Sequence, residues 1–300
     1  GILEHRGLRS GGILNDGTIY VGDCIEVLRR DQLSEEPLRP RLIVADPPYN
    51  IGHAGYDVYE DDLPAEDYVA WSGRWLGACV DSLARDGSLW VAIGDEYQHR
   101  LRCLLEGDLG MHFRSHVVWH YTFGQHSEGK FTRSHAHLLY YVRDPEAFAW
   151  NPDAIRVPSA RQRIYKDRRA VAAGRIPDDT WVLRPQEAPP GAFAPDSDTW
   201  HVPRVNGTFK ERCAWHPCQL PEAMLARIVR ACSDPGDLVC DPFAGTCSTL
   251  VVAKKLGRRW AGVELSEDYT RKGLERVEAA AVGDPIARDL EPAGAVDAAG

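Results

Sequence analysis

The chain has 300 residues, 44% of them hydrophobic, enough to bury a sizeable core as one large domain or as a domain with an insertion. Its formal net charge of −9 excludes a uniformly basic nucleic-acid binder, so any DNA contact must come from a local patch. The eight cysteines form no C-x-x-C pair, which fits reduced thiols and a cytoplasmic location. No signal peptide or membrane-spanning run is expected, and no metal site.

In chain order, residues 1–17 are glycine-rich without a period and read as a loose arm. Thr18–Val21 is a short β-like run. Asp23 then precedes an apolar-periodic stretch from Cys24 to Arg30, where it could cap a helix or face a ligand from a strand end. Leu42-Ile43-Val44-Ala45 reads as a strand buried on both faces. It stops at Asp46-Pro47-Pro48-Tyr49-Asn50, where the prolines offer no N–H to a ladder and force a stiff loop. Ligands of open α/β sheets sit at that carboxyl edge. The loop presents a carboxylate, proline carbonyls and an aromatic ring. That set suits a planar base with an exocyclic amino group: two acceptors for its hydrogens and a ring for its face.

Residues 51–63 read as a polar, flexible loop able to act as a lid. Helical spacing follows from Asp62 to Ala84, with Trp71 and Trp75 as core aromatics. Ser88–Gly94 is the next buried strand, Gln98–Leu109 a helix ended by Gly110, and Phe113–Tyr121 a strand. His116 and His120 share a face of that strand and read as core or pocket histidines. After another strand at 134–142, prolines recur and argue against long regular elements. Within that region, residues 155–170 set Arg156, Arg161, Arg163, Lys166, Arg168 and Arg169 against Asp167 alone, a net +5. It is the candidate for phosphate contact.

Periodicity returns with His216-Pro217 and a helix from about Pro221. Leu238-Val239-Cys240-Asp241 then leads into Pro242-Phe243-Ala244-Gly245-Thr246-Cys247 and a second apolar helix. Strand, small-residue loop and helix form a nucleotide-cradling unit. The next strand, Trp260–Val263, ends at Glu264, placed to bind ribose hydroxyls.

D-P-P-Y before such a unit resembles the S-adenosylmethionine-dependent DNA amino-methyltransferases of the circularly permuted β class. The resemblance implies a Rossmann-like, doubly wound α/β sheet with an inserted target-recognition region. Residues 1–120 and 213–278 would form the catalytic domain, 121–212 the insertion, and 279–300 a disordered tail. It further implies that Asp46, Pro47, Pro48 and Tyr49 carry catalysis. Asp23, Asp46, His216, Asp241, Phe243, Ala244, Gly245 and Glu264 would hold S-adenosylmethionine. Arg161, Arg163, Lys166, Arg168 and Arg169 would contact DNA. Double-stranded DNA is the implied partner, with a cognate restriction endonuclease and a second copy of the chain as further candidates. The expected reaction moves a methyl group to the amine of a flipped-out base, adenine N6 ahead of cytosine N4; a catalytically impaired DNA-binding homologue is the rival reading. Two departures stand out. Cys247 replaces a glycine usual in the family's loop, threatening strain or bulk against the cofactor. Leu220 stands where the family often has lysine.

Overall fold

A computed structural model describes residues 3–5, 8–14, 16–53, 55–125, 129, 131, 133–157, 159, 165–181, 205 and 210–289. Among the described residues, ten strands lie in one sheet: β1 (Leu3–His5), β2 (Leu8–Leu14), β3 (Gly17–Val21), β4 (Leu42–Ala45), β5 (Ser88–Ile93), β6 (His112–Gln125), β7 (Arg133–Val142), β8 (Thr180–Trp181), β9 (Leu238–Asp241) and β10 (Arg259–Glu264). Their order is β1-β2-β3-β10-β9-β4-β5-β7-β6-β8. β3, β10, β9, β4 and β5 run parallel; β7 pairs antiparallel with β5 and with β6. β9 and β10, from late in the chain, thus lie between β3 and β4 from its beginning.

The central strands alternate between two apolar layers. Leu42, Val44 and Val239 face one layer, which helices α4 (Glu222–Cys232) and α5 (Ser248–Lys255) cover through Met224, Leu225, Ile228, Leu250 and Val251. Ile43, Ala45 and Cys240 face the other, covered by α1 (Cys24–Gln32) and α2 (Ala65–Ser82) through Ile25, Leu28, Trp75, Leu76 and Cys79. A parallel strand buried on both faces has no polar side to show, which is why Leu42–Ala45 is an unbroken apolar run.

Several expectations change. The N-terminal stretch is not a loose arm: β1 and β2 extend the sheet by antiparallel pairing onto β3. Its glycines hide the strand period, and edge pairing needs backbone groups alone. The helix after β5 is short: α3 (Gln98–Cys103) passes into a π-helical turn, Leu104–Asp108, before Gly110 at φ +61°. β6 runs past the boundary expected at residue 120, and β7 pairs with β5, so the main sheet continues through Val142. At the other end, α6 (Glu267–Ala279) is followed by an ordered segment. Ile286 is buried and Asp289 forms an ion pair with Arg230, so ordered structure continues through residue 289. Residues 290–300 lie outside the described part.

Candidate active site

The chain leaves β9 through α5 towards β10, and leaves β4 through α2 towards β5, so the two paths diverge at the β9–β4 boundary. A cleft opens at the carboxyl ends of strands where connections diverge in this way. Leu42 is opposite Val239 and Ile43 opposite Cys240, so both strands deliver their terminal acids into that cleft. Asp23, Asp46, Tyr49, His216, Asp241, Phe243, Ala244, Gly245 and Glu264, the residues expected from sequence, line one continuous cavity there, together with Pro47 and Pro48.

The Asp46–Asn50 loop is held by its neighbours. The Tyr49 hydroxyl donates to Asp46 Oδ1 at 3.0 Å, and the Tyr68 hydroxyl donates to the Pro48 carbonyl at 2.7 Å. Asn50 takes the left-handed conformation, φ +54°, which asparagine tolerates better than most residues. Its side-chain amide donates to the Leu63 carbonyl (2.8 Å) and the Tyr97 hydroxyl (2.9 Å), and its Oδ1 accepts the Leu63 N–H (2.7 Å). Asp61 completes the anchor. It is 3% exposed, and its carboxylate accepts the backbone N–H groups of Asn50 (2.6 Å), Ile51 (3.1 Å) and His53 (3.1 Å). Neither anchor is marked in the sequence. Asp61 sits between two other acids in a run that looks like solvated loop, and only its turn inward separates it from Glu60 and Asp62.

The described residues between Asn50 and Asp61 reach over to the cavity. His53, Tyr56, Val58 and Tyr59 line it, Asp57 accepts the Ser266 hydroxyl at 2.5 Å, and the Tyr56 hydroxyl reaches Cys218 Sγ at 3.7 Å. Trp75 is wholly buried, whereas Trp71 forms cavity wall; both pack edge-on against Phe243.

The opposite wall is the β9–α5 turn. Asp241 accepts the Phe243 N–H at 3.0 Å. Glu264 Oε2 accepts the Gly245 N–H at 2.7 Å and Oε1 the Ser266 N–H at 2.9 Å. Gly245 has φ +47°, and a Cβ there would lie 3.0 Å from His216 Nε2, so glycine lets the imidazole close onto the turn. Asp23 serves both roles weighed for it: it caps α1 by accepting the N–H groups of Ile25 and Glu26, and it faces the cavity.

Charge in the cleft is one-sided. Burial, together with the neighbouring Asp241, pushes Asp46 up from 3.8 to about 7, against the hydrogen bond from Tyr49. Burial and the nearby Glu264 push Asp241 up to about 6, and burial raises Glu264 as well. Burial holds His216 below its ordinary value, in the neutral form. Leu220 lines the cavity where a lysine was the alternative, and among the described lining residues there is no lysine or arginine. Such a cavity prefers a ligand with positive charge.

Cys247 sits at φ +59°, so the strain expected of a non-glycine residue is present. The expected bulk against the cofactor is not: its wholly buried side chain points away from the cavity towards α6, where a Cβ on Gly273 would lie 2.4 Å from Cys247 Sγ. Cys247→Gly should therefore leave cofactor affinity unchanged. Gly273→Ala should cost about 1–3 kcal/mol in denaturant unfolding, and the double substitution should recover most of that loss. A double variant as unstable as Gly273→Ala alone would mean that the sulfur is not the obstacle.

A family model described as DNA methylase, for enzymes acting at N6 or N4, matches residues 41–275. The chain belongs to this family of DNA methyltransferases. The match contains both the Asp46 loop and the Asp241–Glu264 unit. The type II methyltransferase M.HpaI of Haemophilus parainfluenzae is 32% identical over 237 residues, covering 79% of this chain and 68% of that protein. The DNA adenine methyltransferase YhdJ of Escherichia coli K12 is 30% identical over 266 residues, 88% and 83% of the two chains. Among solved structures, the cytosine-N4-specific PvuII DNA methyltransferase superposes with a TM-score of 0.62 at 18% identity, covering 90% of this chain and 89% of that one. The S-adenosylmethionine complex of M1.HpyAVI gives 0.54 at 16%, covering 87% and 98%. At these identities the superpositions establish the Rossmann-like methyltransferase fold. Family membership establishes a methyltransferase acting at amino groups of DNA bases.

Of the cationic residues expected at DNA, Arg161 and Arg163 lie outside the described residues. Lys166 and Arg168 are exposed, while Arg169 is drawn onto Asp167, with Nε and Nη2 each donating at 3.0 Å.

Proposed function

We propose that the chain is a site-specific DNA adenine-N6 methyltransferase using S-adenosylmethionine. The observation that carries this reading is the convergence of Asp46 and Asp241, from adjacent parallel strands, on one cavity that Glu264 and Asp61 also line, with no lysine or arginine among its described lining residues. S-adenosylmethionine carries a sulfonium and an ammonium against one carboxylate, so its charge fits these walls. Glu264 would take the ribose hydroxyls: its oxygens already accept two backbone N–H groups and still have lone pairs to offer. Asp23 would approach the adenine, and Asp241 and the Phe243–Gly245 turn the remainder. With no lysine at position 220, the ligand's carboxylate would meet the hydroxyls and N–H groups of Thr246, Ser248 and Thr249 at the start of α5.

When bound, S-adenosylmethionine supplies an electrophilic methyl group. The chain's own residues prepare the nucleophile. An exocyclic amine is weak because its lone pair conjugates with the ring. Asp46 and the Pro47 carbonyl accept its two hydrogens and favour a tetrahedral nitrogen with its lone pair freed. Tyr68 occupies the Pro48 carbonyl, keeping the loop rigid for this task. Tyr49 orients Asp46 through its hydroxyl and stacks on the flipped base through its ring. Positioning supplies most of the rate, and no covalent enzyme intermediate is required.

Target recognition falls to the region after β7, through residue 212, with its cationic segment. Double-stranded DNA is the substrate in this reading, which places the chain in the cytoplasm; a cognate endonuclease and a second copy of the chain are the further partners proposed. Among the described residues no helix is long and apolar enough to cross a membrane.

Adenine is favoured by the aspartate at the head of D-P-P-Y and by relatives such as YhdJ. The deciding experiment incubates the purified chain with S-adenosylmethionine and duplex DNA and identifies the methylated nucleoside by mass spectrometry. N6-methyldeoxyadenosine supports the reading; N4-methyldeoxycytidine overturns the base assignment, since the same loop serves either amine. Tyr49→Ala should impair transfer more on a matched duplex than on one with the target base mismatched, because stacking is worth roughly 1–3 kcal/mol and a mismatch flips more cheaply. Equal losses on both substrates would remove stacking from the role of Tyr49. Reversing Arg161, Arg163, Lys166 and Arg168 together should weaken binding to every duplex and flatten its salt dependence, the slope of log K against log salt falling by about 0.9 per lost phosphate contact. An unchanged slope would place the DNA contact elsewhere.

A further inference from the structure

Outside the cofactor cavity, a cluster of metal-ligating side chains lies at the end of β5. Antiparallel register explains it. Ile93 is opposite His137 on β7, so Asp95, two residues beyond Ile93, falls opposite His135, on the sheet face that His135 and His137 share. On the far side of β7, Val118 of β6 is opposite His137, which makes His116 its diagonal neighbour. Asp95 Oδ1 lies 3.0 Å from His135 Nε2 and 2.5 Å from His137 Nε2, and the three atoms are all within 4.8 Å of one another. His116 Nε2 lies 2.6 Å from His137 Nδ1, the ring nitrogen that faces away from Asp95.

We propose that Asp95, His135 and His137 form a binding site for a divalent transition-metal ion of the zinc class, with His116 orienting His137 from behind. Two imidazoles and one carboxylate are donors for such ions rather than for magnesium or calcium, which take oxygen sets. Donor atoms of a tetrahedral zinc site stand roughly 3.3 Å apart, given bonds of about 2.0–2.1 Å. Reaching that spacing needs Asp95, whose side chain is 45% exposed, to draw back from the two nitrogens, and His135, which is half-buried, to close on His137 from a separation within 4.8 Å. His137 is almost wholly buried, so the site has one fixed ligand and two on the open side. A histidine ligand normally donates its second ring N–H to a partner that fixes its tautomer; His116 stands in that place. Glu96 is engaged by Arg133, so the adjacent carboxylate is already neutralised.

The site adjoins the catalytic loop. Gly94, next to Asp95, lies against the ring of Tyr49: a Cβ there would be 3.4 Å from Tyr49 Cδ2. A metal tying the segment after β5 to β7 would stiffen the wall on which that ring rests. Its ligands were not visible as a motif, because His135 and His137 alternate along a strand and the third donor is 40 residues earlier.

The test adds cobalt(II) to the full-length chain after chelation. The expected result is one equivalent bound, with ligand-field absorption and no sulfur-to-cobalt charge transfer, a distinction needed because the chain carries free cysteines, Cys103 exposed among them. Zinc should displace the cobalt. His135→Ala and Asp95→Asn, both at solvent-accessible positions, should each lower affinity at least a hundredfold with near-ultraviolet circular dichroism unchanged. His116→Gln should weaken binding roughly 10–100-fold while keeping the spectrum. A hundredfold excess over Kd should raise Tm by roughly 5 °C in the wild type and by nothing in His135→Ala. No cobalt bound, thiolate charge-transfer bands, or binding indifferent to Asp95→Asn would each overturn the proposal.

Discussion

Asp46→Asn is expected to abolish detectable methyl transfer and, at alkaline pH, to make the protein more stable. Asparagine keeps the shape of the side chain but replaces one acceptor oxygen with an NH2 group facing the substrate amine, which has only hydrogens to offer. The loss in rate should be on the order of 10²–10³-fold, the usual effect of removing one preorganised hydrogen-bonding group from a transition state. The gain in stability follows from the native carboxyl being raised by burial and by Asp241, from 3.8 to about 7. A carboxyl raised in the folded state binds protons more tightly there than in the unfolded chain. Stability therefore falls as pH rises from about 4 through about 7, and the whole penalty is present above 7. Asparagine carries no charge to bury, so a gain of several degrees in Tm is expected at pH 8, shrinking towards zero near pH 4. The same shift predicts that single-turnover transfer by the wild type declines as pH drops below about 7, because Tyr49 holds one Asp46 oxygen and protonation of the carboxyl removes the other as an acceptor for the amine. Wild-type-like turnover in Asp46→Asn would remove Asp46 from the reaction; an unchanged Tm at pH 8 would mean that its carboxylate is solvated.

Asp61→Ala should rank next. Three backbone N–H groups lose their acceptor, each a cost of about 1–3 kcal/mol where water cannot replace it. Those amides belong to Asn50, Ile51 and His53, just after Tyr49, so the Asp46–Asn50 loop loses its register. A displacement of about 1 Å at a reacting group is enough for a hundredfold loss in rate, and kcat at saturating cofactor and DNA should fall by roughly that factor. Asp61→Asn, with one carbonyl oxygen left to accept, should lie between. Amide exchange of Asn50, Ile51 and His53 should quicken in the same order. An alanine variant within twofold of wild type would show that Asn50, through Leu63 and Tyr97, and Tyr68, on the Pro48 carbonyl, suffice to hold the loop.

The parts of this protein legible from sequence were those where one contiguous run carries the signal. Leu42–Ala45 and Leu238–Cys240 are apolar throughout because both faces of the sheet are covered, and each ends at an acid that the cleft uses. Glu264 follows from the same grammar. What escaped depends on contacts across the chain. Glycines mask β1 and β2, which are held by backbone pairing. The burial of Asp61 depends on a loop closing over it, and nothing in Glu60-Asp61-Asp62 marks which acid turns in. The association of Asp95 with His135 and His137 depends on strand register, which neither segment states alone. For Cys247 the sequence flagged the right backbone conformation and the wrong neighbour, since only the packing of α6 shows that its sulfur meets Gly273.

The interleaving of β9 and β10 between β3 and β4 also sets a timetable. A chain emerging from the ribosome makes β3, α1 and β4 early but cannot join them, because the strands that fill the gap lie about 200 residues downstream of β4. Until those arrive, the edges of β3 and β4 are bare, and pairings of such long range form slowly. The Asp46–Asn50 loop is synthesised well before the strand that gives it a cavity. Methylating competence therefore waits for β9 and β10, and a chain cut short before residue 238 carries an intact Asp-Pro-Pro-Tyr with no cofactor wall opposite it.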